Sequence, residues 1–148
     1  MDESYEKLKL ENQICFPLYV CAKEVVRRYK PFLDELGLTY TQYIAMMALW
    51  EHESLSVKDL GTLLYLDSGT LTPLLRKLEE KGLVSRARDP KDDRVVVVSA
   101  TEEGMGLRDR ALPVPDSMVS CISLPEEDAA ELSRILKKMM GGFGSLQR

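Results

Sequence analysis

Histidine, tryptophan and cysteine are scarce in this chain of 148 residues, which contains one, one and three of them. The single histidine, His52, and the three scattered cysteines complete no metal-ligand spacing, so we expect no metal and no cofactor. An odd and sparse set of cysteines also excludes a disulfide scaffold and favours a reducing compartment. Neither a Ser/His/Asp set nor a glycine-rich phosphate loop is present. The sequence therefore offers no support for an enzyme of these classes.

Long hydrophobic runs are absent as well. No stretch of about 18 apolar residues occurs, so no membrane span is predicted. Residues 1–12 are charged and lack an apolar segment, so no secretory signal is expected and we predict a cytoplasmic location. A length of 148 residues, without internal repeats or long linkers, suits a single domain with a sizeable core.

Positive charge is in deficit overall, because the chain carries a net charge of −4. The distribution is uneven: residues 76–100 hold seven basic and five acidic side chains, whereas the segments before and after are net acidic. A basic patch on an acidic body is compatible with phosphate binding, although charged hairpins are usually just solvated. Nucleic acid is therefore a possible partner for this segment alone.

Residues 67–104 predict a helix, a tight stop and a two-stranded ribbon. Asp67 or Ser68 can cap the helix, and Gly82 can end it in the left-handed conformation. Its apolar face is predicted to consist of Leu71, Leu74, Leu75 and Leu78. Pro73 leaves two alternatives open: the helix begins near Ser68 with a distortion, or Thr72 caps a helix that begins at Pro73.

The ribbon is predicted from strands at Leu83–Ala87 and Val95–Ala100, joined by a charged connector over residues 88–94. A capping pair, Ser56 and Asp59, begins a short helix before the turn at residues 65–67. A helix pair followed by a charged hairpin is typical of a winged helix-turn-helix, whose second helix enters a DNA major groove.

The flanking segments are predicted to be helical. Residues 12–36 carry two apolar lines on one helix, which require two packing partners, one of them a second subunit. A further helix begins at Thr101, is interrupted by Pro113 and Pro115, and is followed by a last helix from Pro125. The predicted fold class is mainly α with a small β-hairpin wing, in an intertwined helical homodimer. We assign 12–36 and 101–141 to dimerisation and about 55–100 to a DNA-binding lobe.

Several motifs resemble the MarR-type regulators. The spans are ICFPLYVCAKEVVRRY (14–29), LTYTQY (38–43), LDSGTLTPLL (66–75) and the wing motif Asp92-x-Arg94. They are most similar to the branch of repressors that sense organic hydroperoxides. The resemblance implies a symmetric dimer that binds a pseudo-palindromic operator on double-stranded DNA. It also implies that organic hydroperoxides are the inducer, which releases the repressor from its operator. One departure is Pro17, where the branch usually has a plain apolar residue.

The resemblance implies that Cys15 is the redox-sensing residue and that Tyr29 and Tyr40 stabilise its thiolate, with Tyr19 nearby. A thiolate rather than a thiol attacks a peroxide, and a helix N-terminus favours the anion. Cys15 and Tyr29 lie 14 residues apart, about 21 Å along one helix, so only a second subunit can bring them together. The sulfenic acid is then resolved by Cys121 of the other subunit or by a low-molecular-weight thiol. Cys21 is interpreted as structural, and Tyr43 and Tyr65 as core aromatics.

Contacts to DNA are expected from the predicted second helix and from the wing. The expected contacts are Ser68, Thr70, Thr72, Arg76 and Lys77 on the helix, and Arg86, Arg88, Lys91, Asp92 and Arg94 on the wing. Of these, Asp92 is expected to orient Arg94 rather than touch DNA.

Three alternatives remain open from the residues. A MarR-type regulator could respond to another thiol oxidant or to a small phenolic ligand between subunits. The same cysteine could serve a thiol peroxidase, which would turn over under excess thiol. A winged helix could also bind only protein, in which case it would not be retained on DNA at low salt.

Overall fold

Helices account for most of the chain in the computed structural model, which describes residues 3–144. Two 3-10 turns, Glu3–Leu8 and Leu10–Asn12, come first. The helices that follow are α1 (Cys15–Asp34), α2 (Tyr40–His52), α3 (Val57–Leu64), α4 (Ser68–Glu80), α5 (Glu102–Ala111), α6 (Val114–Cys121) and α7 (Glu126–Gly141). The strands are β1 (Ser54–Ser56), β2 (Val84–Asp89) and β3 (Asp92–Ala100). The predicted fold class, mainly α with a small β-hairpin wing, is confirmed.

The strands form an antiparallel sheet in the order β1-β3-β2. β1 pairs with β3 through Leu55 opposite Val98, and the sequence pattern had not predicted this short strand. The β2–β3 hairpin is longer than predicted: the two strands pair from Val84 opposite Ala100 as far as Asp89 opposite Asp92. The prediction of a seven-residue tip at 88–94 was therefore wrong. Strand pairing continues through most of the charged connector, with a register shift after residue 88.

The helix-turn-helix is built by capping. Ser56 accepts a bond from the Asp59 amide at 3.0 Å, and Asp67 Oδ1 accepts one from the Thr70 amide at 2.8 Å. These side chains satisfy amide groups that lack partners at a helix start. Between the two helices, Gly61 packs closely, since a Cβ there would lie 2.9 Å from the Leu66 carbonyl oxygen. The Leu66 amide bonds to the Gly61 carbonyl at 3.0 Å, so the turn is fixed by this bond on one side and by the Asp67 cap on the other.

Pro73 lies inside α4, which settles the alternative left open by the sequence. The helix begins at Ser68 with Asp67 as its cap, so Thr72 does not begin it. At the other end Gly82 adopts φ +76°, and the Leu83 amide bonds back to the Leu78 carbonyl at 3.0 Å. Glycine accepts this left-handed conformation without strain, which explains the predicted stop.

The core lies between α2, α4 and the sheet. Its fully buried side chains are Leu33, Met46, Leu49, Leu60, Leu71, Leu75, Leu78 and Val98. The four leucines predicted to form the apolar face of α4 are all buried, which confirms that prediction. Tyr43, only 3% exposed, belongs to this core as predicted. Tyr65 does not: it is 39% exposed and sits in the left-handed turn after α3, at φ 57°.

Two long helices leave apolar surface uncovered in the single chain. In α1, Val25, Tyr29 and Phe32 pack against the core, whereas Ile14 near its start is 84% exposed. In α7, no residue is buried.

The helices α5 and α6 are separate, because helical structure is interrupted at residues 112–113, as predicted from Pro113 and Pro115. Within residues 3–144, no helix is long and apolar enough to cross a membrane.

Candidate redox site and nucleic-acid interface

Cys15 is the first residue of α1 and is exposed. No side chain caps this end of the helix, where Ile14 occupies the capping position. Backbone amides at a helix start lack internal partners and carry partial positive charge, so they favour an anion such as a thiolate. Pro17, the third residue of the helix, has no amide hydrogen, and a proline is tolerated in the first turn. The Cys15 thiol is therefore open to solvent at the start of a helix.

A cluster of three tyrosines lies at the other end of α1. The ring of Tyr29 is 5.0 Å from that of Tyr40 and 5.7 Å from that of Tyr43, centroid to centroid. Tyr40 and Tyr43 are 6.4 Å apart, and the tilted planes are typical of favourable aromatic pairs. Tyr40 and Tyr43 share one side of α2 because they are three residues apart. The structure thus brings together Tyr29 and Tyr40, which the sequence assigned to one site.

The tyrosine hydroxyls hold their protons firmly. Burial raises the pKa of Tyr29, and the neighbouring hydroxyls of Tyr40 and Tyr43 raise it further. Burial also raises the pKa of Tyr40, and burial together with Tyr40 raises the pKa of Tyr43. Each hydroxyl can therefore donate a hydrogen bond at neutral pH. Donors of this kind stabilise a nearby thiolate.

The single chain does not bring Cys15 to the tyrosine cluster. Both Cys15 and Tyr29 belong to the straight run of α1, about 21 Å apart along its axis. Tyr19, one turn beyond Cys15, is 62% exposed, and the ammonium group of Lys23 lies 5.7 Å from its ring centre. A site made from Cys15 and Tyr29 therefore requires two copies of the chain.

The other two cysteines differ in environment. Cys121 is the last residue of α6, is half-buried and packs against the edge of the core. Helix α6 in turn packs on α1. Cys21 is exposed on α1 in the single chain, and its interpretation as structural stays a prediction. Within residues 3–144, no cluster of His, Cys, Asp and Glu could hold a metal ion.

The exposed side of α4 carries the polar residues predicted to contact DNA. All five side chains are exposed: Ser68, Thr70, Thr72, Arg76 and Lys77. They are positioned by the buried leucines on the opposite side, which fix the rotation of the helix about its axis. This face is hydroxyl-rich at its start and basic in its middle, as base-edge and phosphate contacts require.

The arginines of the wing differ in the groups that hold their side chains. Arg94 is 86% exposed and is held by Asp92 through two bonds of 3.0 and 3.1 Å from Nε and Nη2, as the sequence led us to expect. The same bonds hold the pKa of the Asp92 carboxyl below its usual range. Arg88 donates to the Asp93 carbonyl at 2.6 Å. Arg86 instead pairs with Glu79 of α4 at 3.2 Å, so it braces the wing against the helix.

Comparison with known proteins shows which family this architecture belongs to. A family model described as the transcriptional regulator SarA/Rot matches residues 27–110. The organic hydroperoxide resistance transcriptional regulator of Bacillus subtilis is 44% identical over 140 residues, which is 95% of each chain. The chain belongs to the MarR-type winged-helix transcriptional regulators, in the branch of the organic hydroperoxide resistance regulators. These relatives are regulators rather than enzymes.

Solved structures of AbfR of Staphylococcus epidermidis resemble this MarR-type regulator over nearly its whole length. Reduced AbfR bound to DNA has a TM-score of 0.76 at 30% identity, covering 95% of this chain and 98% of that one. Overoxidised AbfR bound to DNA gives 0.74, also at 30% identity, covering 93% and 98%. Disulfide-formed AbfR gives 0.64 at 31% identity, covering 93% and 96%.

Sequence reasoning overlooked one polar residue of this regulator. Gln42 is 4% exposed and completes a capping box with Thr39 at the start of α2, next to Tyr40. The spacing Thr-x-x-Gln at residues 39–42 is the signal that could have identified this capping box. A buried amide beside the tyrosine cluster has to be hydrogen-bonded, which makes it a fixed point of the site.

Proposed function

We propose that this regulator is a cytoplasmic, dimeric repressor that releases operator DNA when an organic hydroperoxide oxidises Cys15. The observation that supports the proposal is an exposed thiol at the start of α1 together with a pair of tyrosines, Tyr29 and Tyr40, about 21 Å away near the other end of the same helix. The name of the B. subtilis relative supports the inducer class.

Dimerisation supplies the missing geometry. We assign residues 12–36 and 101–141 to the dimer interface and about 55–100 to the DNA-binding lobe. Two α1 helices packed antiparallel across a two-fold axis would place Cys15 of one chain at Tyr29 and Tyr40 of the other. The uncovered apolar surface of α1 and α7 supports such a packing.

The chemistry needs no cofactor. The Cys15 thiolate attacks one oxygen of the hydroperoxide, the O–O bond breaks, an S–O bond forms, and the alcohol leaves after taking up a proton. The resulting sulfenic acid then reacts with a second thiol: an S–S bond forms and water leaves. Cys121 of the partner subunit or a small cellular thiol supplies that sulfur.

The three AbfR structures favour the disulfide as the state that releases DNA. AbfR has been solved on DNA in both its reduced and its overoxidised form, and separately with a disulfide formed. We therefore propose that a disulfide, rather than addition of oxygen alone, moves the two DNA-binding lobes apart. A loss of about 3 kcal/mol in binding free energy would lower DNA affinity more than a hundredfold.

On the DNA side, we assign base and phosphate contacts to the exposed face of α4 and phosphate or minor-groove contacts to Arg88, Lys91 and Arg94. Arg86 is assigned a bracing role, because Glu79 holds it. Asp92 orients Arg94.

The test compares wild type with Cys15→Ser on a DNA duplex selected from a random pool by the reduced protein. Addition of cumene hydroperoxide is expected to release wild type but not Cys15→Ser, with one equivalent of oxidant consumed per thiol. Non-reducing mass mapping should then find Cys15 joined to Cys121 or, when a small thiol is included in the reaction, to that thiol. Equal release of both proteins would exclude Cys15 as the sensor, and sustained turnover under excess thiol would indicate a peroxidase.

A further inference from the structure

The end of α1 is held by cations that come from two other helices. Lys81, which caps the C-terminus of α4, donates from Nζ to the carbonyl oxygen of Gly37 and to Oε1 of Gln42, the latter at 3.0 Å. Arg110 of α5 donates from Nη2 to the carbonyl oxygen of Glu35 at 2.7 Å. The last carbonyls of a helix carry partial negative charge, so cations bind there favourably. The α1–α2 turn, residues 35–39, is thereby attached directly to α4.

Gln42 makes this attachment specific. The side-chain Oε1 of Gln42 also accepts a hydrogen bond from the Thr39 backbone amide at 3.1 Å. The backbone amide of Gln42 in turn donates to Thr39 Oγ1 at 3.3 Å. It is the one buried polar side chain among residues 3–144. A buried oxygen that loses a partner carries a large penalty, so its two donors are held in a defined geometry. One atom therefore joins the first turn of α2 to the end of α4.

Tyr40 is part of the same turn of helix. It is the first residue of α2, between Thr39 and Gln42, and its ring lies 5.0 Å from that of Tyr29. The capping box ties the backbone on both sides of Tyr40, so a displacement of its ring is carried to Gln42. Among the described residues, Lys81 makes the hydrogen bonds that join this turn to the end of α4, whereas the leucines of α4 pack in the core without directional bonds.

We propose that Lys81 is a positioning residue that couples the α1–α2 turn to α4, so that a displacement of Tyr40 changes the tilt of the helix that contacts DNA. This inference rests on the proposed function, in which Cys15 of the partner subunit meets Tyr29 and Tyr40. Lys81 sits at the end of α4 opposite Ser68 and Thr70, about 20 Å away along the 13-residue helix. A tilt set at one end therefore displaces the hydroxyls at the other.

The experiment measures the ratio of oxidised to reduced dissociation constants on the selected duplex, with cumene hydroperoxide as oxidant and the oxidised state verified by intact mass. Lys81→Met is expected to lower this ratio at least tenfold relative to wild type, while Cys15 oxidises at an unchanged rate. Lys81→Arg, which keeps a cationic donor, should restore most of the ratio. Arg108→Met is the matched control, because the Arg108 side chain is exposed on α5 and makes no hydrogen bond or ion pair within the described residues. Should Lys81→Met not fold, Lys81→Gln replaces it with the same expectation.

An unchanged ratio in Lys81→Met, or an equal fall in Arg108→Met, would overturn the coupling role. A wild-type ratio near one would instead overturn the proposed function. Hydrogen exchange of the reduced proteins distinguishes the two failures. Faster exchange in Lys81→Met at both 37–42 and 68–72 would support the coupling, whereas a change confined to the neighbours of residue 81 would refute it.

Discussion

At the scale of single residues, this regulator depends on a few atoms that allow no substitute. Gly104 is the sharpest case: a Cβ there would overlap the Leu83 carbonyl oxygen and lie 3.2 Å from Met46 Cε. Its own carbonyl accepts the Trp50 indole hydrogen bond at 2.8 Å. This bond joins α2 to α5, while the missing side chain of Gly104 lets α5 lie against the backbone of Leu83.

Gly104→Ala is expected to lower the free energy of unfolding by about 1–3 kcal/mol, since overpacking forces the backbone to move. Urea unfolding at fixed protein concentration, followed by the fluorescence of Trp50, measures the change. Gly106→Ala serves as the control on the same helix, because a Cβ there meets nothing within 4 Å. The control should be neutral or stabilised by up to about 1 kcal/mol. Equal stability of the two variants would refute the close approach.

The tyrosine cluster makes stability depend on pH in the alkaline range. The folded-state pKa of Tyr40 is raised by burial, whereas the unfolded value is about 10. Above about pH 10 the folded state therefore binds more protons than the unfolded state, and stability falls as pH rises. Below pH 10 the contribution is complete. Urea midpoints from pH 7 to 11 should fall less steeply for Tyr40→Phe than for wild type above pH 10. Parallel curves would mean that the hydroxyl is not buried.

At the scale of secondary-structure elements, most helices and the wing could be predicted from the pattern of residues. The helix starts at Ser56 and Thr101 could be predicted because a short side-chain oxygen three residues before its amide partner leaves a local signal. Strand β1 left none: three residues, Ser54–Ser56, become a strand only because β3 offers a free edge. The register of the wing was likewise hidden, since strand pairing overrides the turn preference of charged residues.

The candidate site divides in the same way. Tyr40 and Tyr43 could be placed on one side of a helix from their spacing. Their contact with Tyr29 depends on how α1 packs on α2, which no local pattern encodes. Lys81 and Gln42, 39 residues apart, meet only through the tertiary fold. The family resemblance supplied the role of Cys15, which by spacing alone would read as a filler of an apolar helix face.

For the wing, Arg94→Met is expected to weaken DNA binding on most sequences and to reduce the slope of log affinity against log salt by about one, the effect of one lost phosphate contact. Fluorescence anisotropy at four or more salt concentrations measures it. Arg134→Met is the matched control, because Arg134 on α7 is paired with Glu131 much as Arg94 is with Asp92. An unchanged slope for Arg94→Met would remove the phosphate role of this side chain.

At the scale of the whole molecule, the described chain leaves an apolar surface exposed along α7. Leu132, Ile135 and Met139 follow one side of α7 at helical spacing, and each is more than two-fifths exposed. Apolar surface of this extent is characteristic of an interface. The same copy leaves Cys15 about 21 Å from the tyrosines that would stabilise it. In the proposed dimer, the contact that covers this surface also brings Cys15 to the tyrosines, so regulation is expected to require assembly.

Ile135→Glu tests this dependence, because a carboxylate placed in an apolar interface must be desolvated without a partner. We expect the dimer dissociation constant to rise at least about a hundredfold, equivalent to about 3 kcal/mol. Sedimentation velocity over a range of concentrations should show monomer, and the variant should lose both tight DNA binding and the rapid reaction of Cys15 with hydroperoxide. Lys137→Glu places the same carboxylate on the polar side of α7 and should remain dimeric. A monomeric Ile135→Glu whose Cys15 still reacts at the wild-type rate would show that the tyrosines of a second chain do not activate the thiol.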